Sequence, residues 1–321
     1  MRRSLFFVSL LALCLSCAGP SGEETKTRPF PGTNIPGLIS EPAARAAYLA
    51  EHYWDGYFSG DGLSDSSALL GVALPDLEQA MANWCGVLGE MPVGAAQKAV
   101  GKAFDAMEAR HAADTSAQVF ARFGEIVIRY LYDPNSPLRS EDLYLPFVQK
   151  LVQSPWTPED MRPAYRYEAR MCAMNPIGAK VPDFRYKMLG GRISRLYAIR
   201  AEYLMLFFSN PGCQACKGII EDVMGHPGIE ELMASGRLAV MNLYIDEDIA
   251  AWRAYAPNYP ASWISGYDPD GVIRADRLYH VRAIPSLYLL DAQKRVILRD
   301  APTEKVLDYL DKIQGLNSYG N

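Results

Sequence analysis

A short stretch beyond the middle of the chain combines an apolar strand, a tight turn and two cysteines. Residues 203–208 form a near-continuous apolar run, as expected of a strand that is covered on both faces. The turn Asn210-Pro211-Gly212 follows, and Cys213 and Cys216 then stand where a helix is expected to begin. A thiol at that position lies against the unpaired N–H groups and the positive end of the helix dipole, which favour the thiolate. The pattern therefore predicts a reactive cysteine pair.

The two cysteines are expected to have different roles. Cys213 is nearer the helix start and nearer solvent, so it is the candidate nucleophile. Cys216 lies one turn inside and is the candidate resolving thiol. A structural disulfide is an alternative, although a three-residue spacing at a helix start favours a redox role. A zinc site would need a second ligand pair, whereas Cys85 and Cys172 are single and distant, so we expect no metal.

Length and composition exclude several classes of protein. The chain has 321 residues, enough for about two domains, and 49% of them are hydrophobic. A formal net charge of −5 provides no basic surface for nucleic acid. We find neither a Walker phosphate loop nor a Gly-x-Gly-x-x-Gly fingerprint, and we expect no cofactor.

The N-terminus has the pattern of an export signal. Arg2 and Arg3 precede an apolar segment over residues 5–15, and Ser16-Cys17 follow. This context is similar to a bacterial lipobox, which predicts a signal peptide over residues 1–17 and a lipid on Cys17. A plain secretory signal is the alternative. In both cases we expect export to the periplasm or cell envelope, where disulfides persist. A lipid would tether a soluble body to a membrane rather than embed it.

The remaining chain divides into three parts. Residues 18–40 are rich in Gly, Pro, Ser and Thr and predict a flexible tether. Residues 41–174 show successive amphipathic helical patterns, so we expect an all-helical domain. Residues 175–321 predict hairpins at both ends, buried strands between them and intervening helices. This order indicates an α/β sandwich after the helical domain.

Three separated segments of residues 175–321 resemble the thioredoxin-fold domains of the membrane-tethered TlpA/ResA group. They are the strand and Pro211-Gly212-Cys213-Gln214-Ala215-Cys216-Lys217, the central strand over residues 240–246, and Val281-Arg282-Ala283-Ile284-Pro285-Ser286-Leu287-Tyr288. The whole chain also resembles Gram-negative lipoproteins that place a helical domain of unknown function before such a domain.

The resemblance implies a thiol–disulfide oxidoreductase, with a reducing role favoured over an oxidising one. It implies that a cis Pro285 faces the cysteines and that the backbone of Ile284 pairs with an extended substrate. Gly212 stands where many relatives have tryptophan, which implies a more open surface beside Cys213. The implied partners are client proteins with disulfides, a thiol electron donor in the envelope and the membrane that holds the lipid.

Two departures from the family pattern concern proton transfer. Phe207 occupies the position of the buried carboxylate of thioredoxins, and Ile219 that of a glutamate in the ResA-like group. Glu221, Asp222 and Asp246 are the acidic candidates nearby in sequence. The departures keep a second function open, namely an envelope interaction or scaffold protein with a weak or vestigial redox site.

Five further side chains carry open alternatives. Cys85 and Cys172 are either buried apolar cysteines or a structural disulfide. His280 lies five residues before Pro285. It is expected to be a surface or strand-end histidine, with a position facing the thiols as the alternative, and we assign it no role. Trp263 and Tyr267 are expected to pack in the core, with a client groove as the alternative.

Overall fold

A computed structural model describes residues 27–275 and 277–315 of the chain. Helices form the first half and a seven-stranded sheet with helices on its faces forms the second, so the predicted two-domain fold is confirmed. In the described residues no helix is both long and apolar enough to cross a bilayer. The predicted signal peptide and Cys17 lie outside these residues.

The helices of the first domain bury aromatic stripes against one another. Trp54 lies at the centre, with ring centroids 5.6 Å from Trp84 and 4.8 Å from Phe123. Ser140 caps the sixth helix, because its hydroxyl accepts a hydrogen bond from the Leu143 N–H. The helices are α1 (Pro42–His52), α2 (Asp55–Phe58), α3 (Leu74–Gly89), α4 (Val93–Ala113), α5 (Val119–Leu131), α6 (Glu141–Gln153) and α7 (Arg162–Cys172), and a small hairpin of β1 (Ala68–Leu69) and β2 (Val72–Ala73) precedes α3.

Part of the segment predicted as a tether packs against the helical domain. The Arg28 N–H donates to the Gly71 carbonyl at 2.7 Å, and its guanidinium donates to the carbonyls of Leu70 and Tyr57. The Phe30 ring lies 5.4 Å from that of Trp54. The prediction that the tether extends to residue 40 is therefore wrong. The glycine and proline content of the segment indicated flexibility, but the side chains of Arg28 and Phe30 contact the helical domain.

The second domain is built on a mixed sheet with strand order β4-β3-β7-β6-β5-β8-β9. Its strands are β3 (Arg185–Met188), β4 (Ile193–Arg195), β5 (Tyr203–Phe208), β6 (Leu238–Tyr244), β7 (Ile264–Tyr267), β8 (Ser286–Asp291) and β9 (Val296–Arg299). Its helices are α8 (Gln214–Gly225), α9 (Pro227–Ala234), α10 (Ile249–Tyr255), α11 (Val272–Ala275) and α12 (Thr303–Gln314). The domain is therefore an α/β sandwich.

The central strand β5 pairs in parallel with β6 and antiparallel with β8. The carboxyl ends of β5 and β6 consequently meet the start of β8 at one edge of the sheet. Apolar side chains of β5 alternate between two buried clusters, one on each face, which explains its continuous apolar sequence. This edge positions the two cysteines.

Strand β7 was not expected from the sequence. It pairs in parallel with β6 and is only four residues long, with Gly266 against the side chain of Tyr186. A Cβ on this glycine would lie 3.0 Å from the Tyr186 ring, so the close approach requires glycine. Trp263 precedes the strand and Tyr267 is its last residue. Each is 6% exposed, and the expectation of core packing is confirmed.

Candidate functional site

The cysteine pair lies at the start of α8, directly beyond the end of β5. Gly212 has a φ of +71°, a conformation that favours glycine, and it turns the chain into the helix. Cys213 is the N-cap residue of α8, and its sulfur accepts a hydrogen bond from the Cys216 N–H at 3.1 Å. The two sulfurs form a disulfide. Cys213 is half-buried, whereas Cys216 is 2% exposed, so an incoming sulfur reaches Cys213 first.

The loop before β8 lies beside this pair. The Ile284–Pro285 bond is cis, as the resemblance implies. Ser286 then pairs with Phe208, the last residue of β5, which brings the loop next to the cysteine turn. The Ile284 side chain contacts both buried clusters, including the one that contains Cys213 and Cys216. Substrate pairing by the Ile284 backbone stays a prediction.

The surroundings of Cys216 are apolar. Phe207 is fully buried in the same cluster, 6.2 Å from the Trp263 ring, and Ile219 packs there as well. In the described part of the chain, the only hydrogen bond to either cysteine sulfur comes from the Cys216 backbone. The site therefore contains no carboxylate in contact with the pair among these residues.

Asp222 is exposed on α8, and the other two acidic candidates nearby in sequence have other contacts. Glu221 lies 3.6 Å from Lys217 on the surface of α8. Asp246 accepts a hydrogen bond from the Asn210 amide at 2.6 Å and pairs with Arg274 at 2.8 Å. Asp246 consequently stabilises the turn before Cys213 through its hydrogen bond with Asn210. The structure assigns neither carboxylate to proton transfer.

A buried polar cluster follows β5, and sequence analysis missed it. The Ser209 hydroxyl bonds to the Asn242 side chain and lies 3.2 Å from the Tyr259 hydroxyl. Asn242 in turn donates to Ser265 at 3.3 Å. Burial raises the pKa of Tyr259, so its hydroxyl stays protonated. The cluster is uncharged, and Asn242 pairs with Phe207 across the strands. No spacing in the sequence signals it.

Buried ion pairs join the helical domain to the loop before β8. Glu141, in the first turn of α6, is fully buried. Its carboxylate lies 2.6 Å from the Nδ1 atom of His280 and 3.2 Å from the Nε atom of Arg282. The same Arg282 also binds the buried Asp300. His280 is therefore a buried interface residue, rather than a surface histidine, and the loop is held from both sides.

The neighbouring acid of α6 makes a second contact across the interface. Arg299, at the end of β9, donates two hydrogen bonds to the Asp142 carboxylate at 2.8 and 3.0 Å. It also donates to the Cys172 carbonyl at 2.7 Å. Asp300 accepts a hydrogen bond from the Ser286 hydroxyl at 3.1 Å, which connects the network to the residue after Pro285.

Cys85 and Cys172 are both free and buried, so the alternative of a disulfide between them is wrong. Burial raises the pKa of Cys85 to about 12 and raises that of Cys172 further. Both thiols therefore stay protonated. The core of the helical domain holds each of them as an apolar side chain.

Cys172 also lies near Glu141 and His280, with ligand atoms within 4.8 Å of one another. This is the arrangement among the described residues that comes nearest to a metal site. Arg282 and Arg299 already neutralise the carboxylate, and the thiol is protonated. We therefore assign the group to ion pairing across the interface.

Comparison with known proteins agrees with this architecture. The family described as "Domain of unknown function (DUF5106)" matches residues 17–173. No curated protein matches the chain. A thioredoxin-like protein from Bacteroides caccae, known from its crystal structure, is 35% identical, with a TM-score of 0.73 over 88% of this chain and 98% of that one.

Two other solved structures each cover less than half of this chain. The C-terminal domain of an uncharacterized protein from Bacteroides fragilis is 41% identical over 42% of this chain and 97% of that one, with a TM-score of 0.41. A domain of a possible thiol-disulfide isomerase from Cytophaga hutchinsonii is 21% identical over 44% of this chain and 96% of that one, with a TM-score of 0.37.

The fold and the cysteine site thus define a thioredoxin-fold protein. The chain belongs to the family of the thioredoxin-like Bacteroides caccae protein, with a DUF5106 domain ahead of its thioredoxin-like domain.

Proposed function

We propose that the protein is a thiol–disulfide oxidoreductase that reduces disulfides of client proteins in the cell envelope. The observation that carries the proposal is the position of Cys213. Cys213 is half-buried at the N-cap of α8, and its sulfur accepts a hydrogen bond from the Cys216 N–H, while Cys216 is buried. A reduced Cys213 at this position is stabilised as the thiolate by that N–H group and by the helix dipole.

The reaction uses the two cysteines in sequence. The Cys213 thiolate attacks one sulfur of the client disulfide, and the other client sulfur leaves as a thiolate that takes up a proton. Cys216 then loses its proton and attacks the Cys213 sulfur, which releases the second client thiol and forms the Cys213–Cys216 disulfide. Two electrons pass to the client, and a dithiol donor of the envelope returns the pair to its reduced form.

The step that distinguishes this site is the deprotonation of Cys216. Its surroundings are apolar, and Phe207 replaces the carboxylate that the family pattern places there. Burial without a nearby base disfavours the Cys216 thiolate. We therefore expect resolution of the mixed disulfide to be slower than the attack by Cys213.

The test is to trap the mixed disulfide. A Cys216→Ser variant should accumulate client proteins linked to Cys213, and these should be released by dithiothreitol. A Cys213→Ala variant should neither trap clients nor reduce insulin. If Cys213→Ala retains insulin reduction, the proposal is wrong. The redox potential of the pair, measured against glutathione, decides between a reducing and an oxidising role.

Tethering is a separate part of the proposal. A lipid on Cys17 would hold the protein at a membrane, with the thioredoxin-like domain in the envelope. Labelling with a radioactive or clickable fatty acid should mark the wild-type chain and not the Cys17→Ala variant. If neither the wild type nor the Cys17→Ala variant is labelled, a plain secretory signal explains the N-terminus better than a lipoprotein signal does.

A second candidate function is an interaction module with a vestigial redox site. The apolar side chains of Phe207 and Ile219 near Cys216 favour it, because they remove the usual proton partners. It predicts a Cys213–Cys216 disulfide that resists mild reductants and a Cys216→Ser variant that traps no client.

A further inference from the structure

A cleft of about 970 Å³ lies between the two domains. Its helical wall comes from α5 and α7 and includes Tyr167, which is 43% exposed. Its opposite wall comes from the end of β6, from α11 and from the loop before β8. Arg282 lines this second wall, and Ile284 follows it by two residues. The cleft therefore opens next to the loop that carries Pro285.

Direct contacts connect the cleft to the nucleophile. Arg274 lines the cleft and pairs with Asp246 at 2.8 Å. Asp246 holds the Asn210 amide at 2.6 Å, and the Asn210 carbonyl accepts the Cys213 N–H at 3.3 Å. Three successive contacts therefore connect the thioredoxin-side wall of the cleft to the turn that carries Cys213.

The charges of the cleft are distributed unequally between its walls. The thioredoxin-side wall carries Arg274, Arg277, His280 and Arg282 and no carboxylate among its described residues. The carboxylates of the lining belong to Glu125 and Asp133 on the helical wall. An acidic ligand is therefore favoured against the thioredoxin side.

Arg277 is the arginine of this wall that remains available. The other two arginines and His280 have acidic partners, whereas no described carboxylate lies within ion-pair distance of Arg277. Its guanidinium lies 5.3 Å from the centre of the Tyr167 ring, and its backbone has a φ of +50°. The Arg277 side chain is exposed, so its guanidinium is accessible from the cleft.

We propose that the cleft binds the client segment next to its disulfide, with Arg277 pairing to an acidic residue of that segment. The apolar part of the cleft, which includes Tyr167, then covers a bulky apolar residue of the same segment. This inference rests on the proposed function. It assigns the helical domain a role as one wall of the substrate site.

The chain offers a matched control for the test. Arg170 lies 5.5 Å from the same Tyr167 ring but does not line the cleft. The variants Arg277→Glu and Arg170→Glu therefore remove equivalent contacts with Tyr167 and change the net charge equally. Only Arg277→Glu reverses the charge inside the cleft.

The assay compares two cystine peptides that differ in the residues flanking the disulfide, Phe-Glu in one and Phe-Lys in the other. For the wild type, we expect a KM for the Glu peptide about 2- to 5-fold lower than for the Lys peptide, in the range of exposed ion pairs. Arg277→Glu should reverse this preference, and Arg170→Glu should retain it. A small aromatic disulfide, which needs no cleft, should react equally with all three proteins. High salt should remove the difference.

Binding measured without catalysis separates the two proposals. A variant with Cys213→Ser and Cys216→Ser should bind the fluorescent Glu peptide more tightly than the Lys peptide, and an added Arg277→Glu should reverse the order. Equal binding of the peptides, or equal effects of Arg277→Glu and Arg170→Glu, overturns the cleft inference. A wild type that reduces no disulfide while the binding preference holds refutes the proposed function alone.

Discussion

Removing the Glu141 carboxylate should loosen the junction between the two domains. In the native structure this buried group lies 2.6 Å from His280, 3.2 Å from Arg282 and 3.6 Å from Arg299. In a Glu141→Ala variant, the side chains of His280, Arg282 and Arg299 remain buried but lose the Glu141 carboxylate. The cost of breaking such an arrangement is the desolvation of the partners that remain, rather than the strength of one ion pair.

The size of the stability loss depends on which acidic contacts each partner of Glu141 retains in the variant. Arg282 retains Asp300, and Arg299 retains both hydrogen bonds to Asp142. His280 alone loses its acidic partner. Removing one member of a buried ion pair costs about 3–5 kcal/mol. We expect the lower limit, about 3 kcal/mol, because two of the three partners keep a carboxylate. At about 2 °C per kcal/mol for a chain of this size, the Tm should fall by about 6 °C.

Equilibrium unfolding in urea, followed by both fluorescence and circular dichroism, measures this loss. Glu51→Ala is the control, because Glu51 pairs with the exposed Lys98 at 3.0 Å within the helical domain. The control should cost less than about 1 kcal/mol. Glu141→Gln retains the volume and removes the charge, so it separates a cavity from an electrostatic effect. A loss in Glu141→Ala no larger than in the control would refute the reasoning.

Four further outcomes are expected. Phe207→Asp places a carboxylate in the apolar cluster beside Cys216 and should destabilise the fold by about 3 kcal/mol or more in urea unfolding. In the reduced wild-type protein at pH 8.5, iodoacetamide should modify Cys213 and leave Cys85, whose pKa burial raises to about 12, unmodified. In the unfolded chain the Cys85 thiol ionises above about pH 9, whereas in the folded protein burial keeps it protonated. The contribution of Cys85 to the free energy of unfolding is therefore complete below about pH 9 and is lost as the pH rises further. A Cys85→Ala variant should show a flatter dependence of stability on pH above about pH 9. Ser140→Ala removes the N-cap of α6 and should cost about 1 kcal/mol in the same unfolding experiment, whereas Ser235→Ala, at an exposed helix end, should cost less.

Local pattern was sufficient to predict the elements around the cysteine pair. The run from Tyr203 to Phe208 is a strand in the structure with those bounds, and a helix follows Cys213. These elements are determined by short-range features: continuous apolar residues, a turn with Gly212 at positive φ, and a side chain that caps the helix. The short strand β7 escaped detection because its four residues include Gly266 and show no alternation.

The ion pairs between the domains could not be predicted from the sequence. Asp142 and Arg299 are 157 residues apart, and each resembles an ordinary surface charge in its local context. Glu141 and Asp142 suit the first turn of a helix, where acidic side chains are common, so their burial has no local signal. His280 was left without a role for the same reason, since its partner belongs to the other domain.

The position of these buried charges suggests why a helical domain accompanies the redox domain. Two apolar surfaces would hold the domains together at lower cost, because buried charges must first be desolvated. A bidentate contact such as that of Arg299 with Asp142 forms at only one relative position of the domains. The contacts of Arg282 with Glu141 and Asp300 hold the loop before Pro285 in that same position. The cleft and the cysteine site thereby keep a constant geometry, which an apolar interface, free to slide, would not impose.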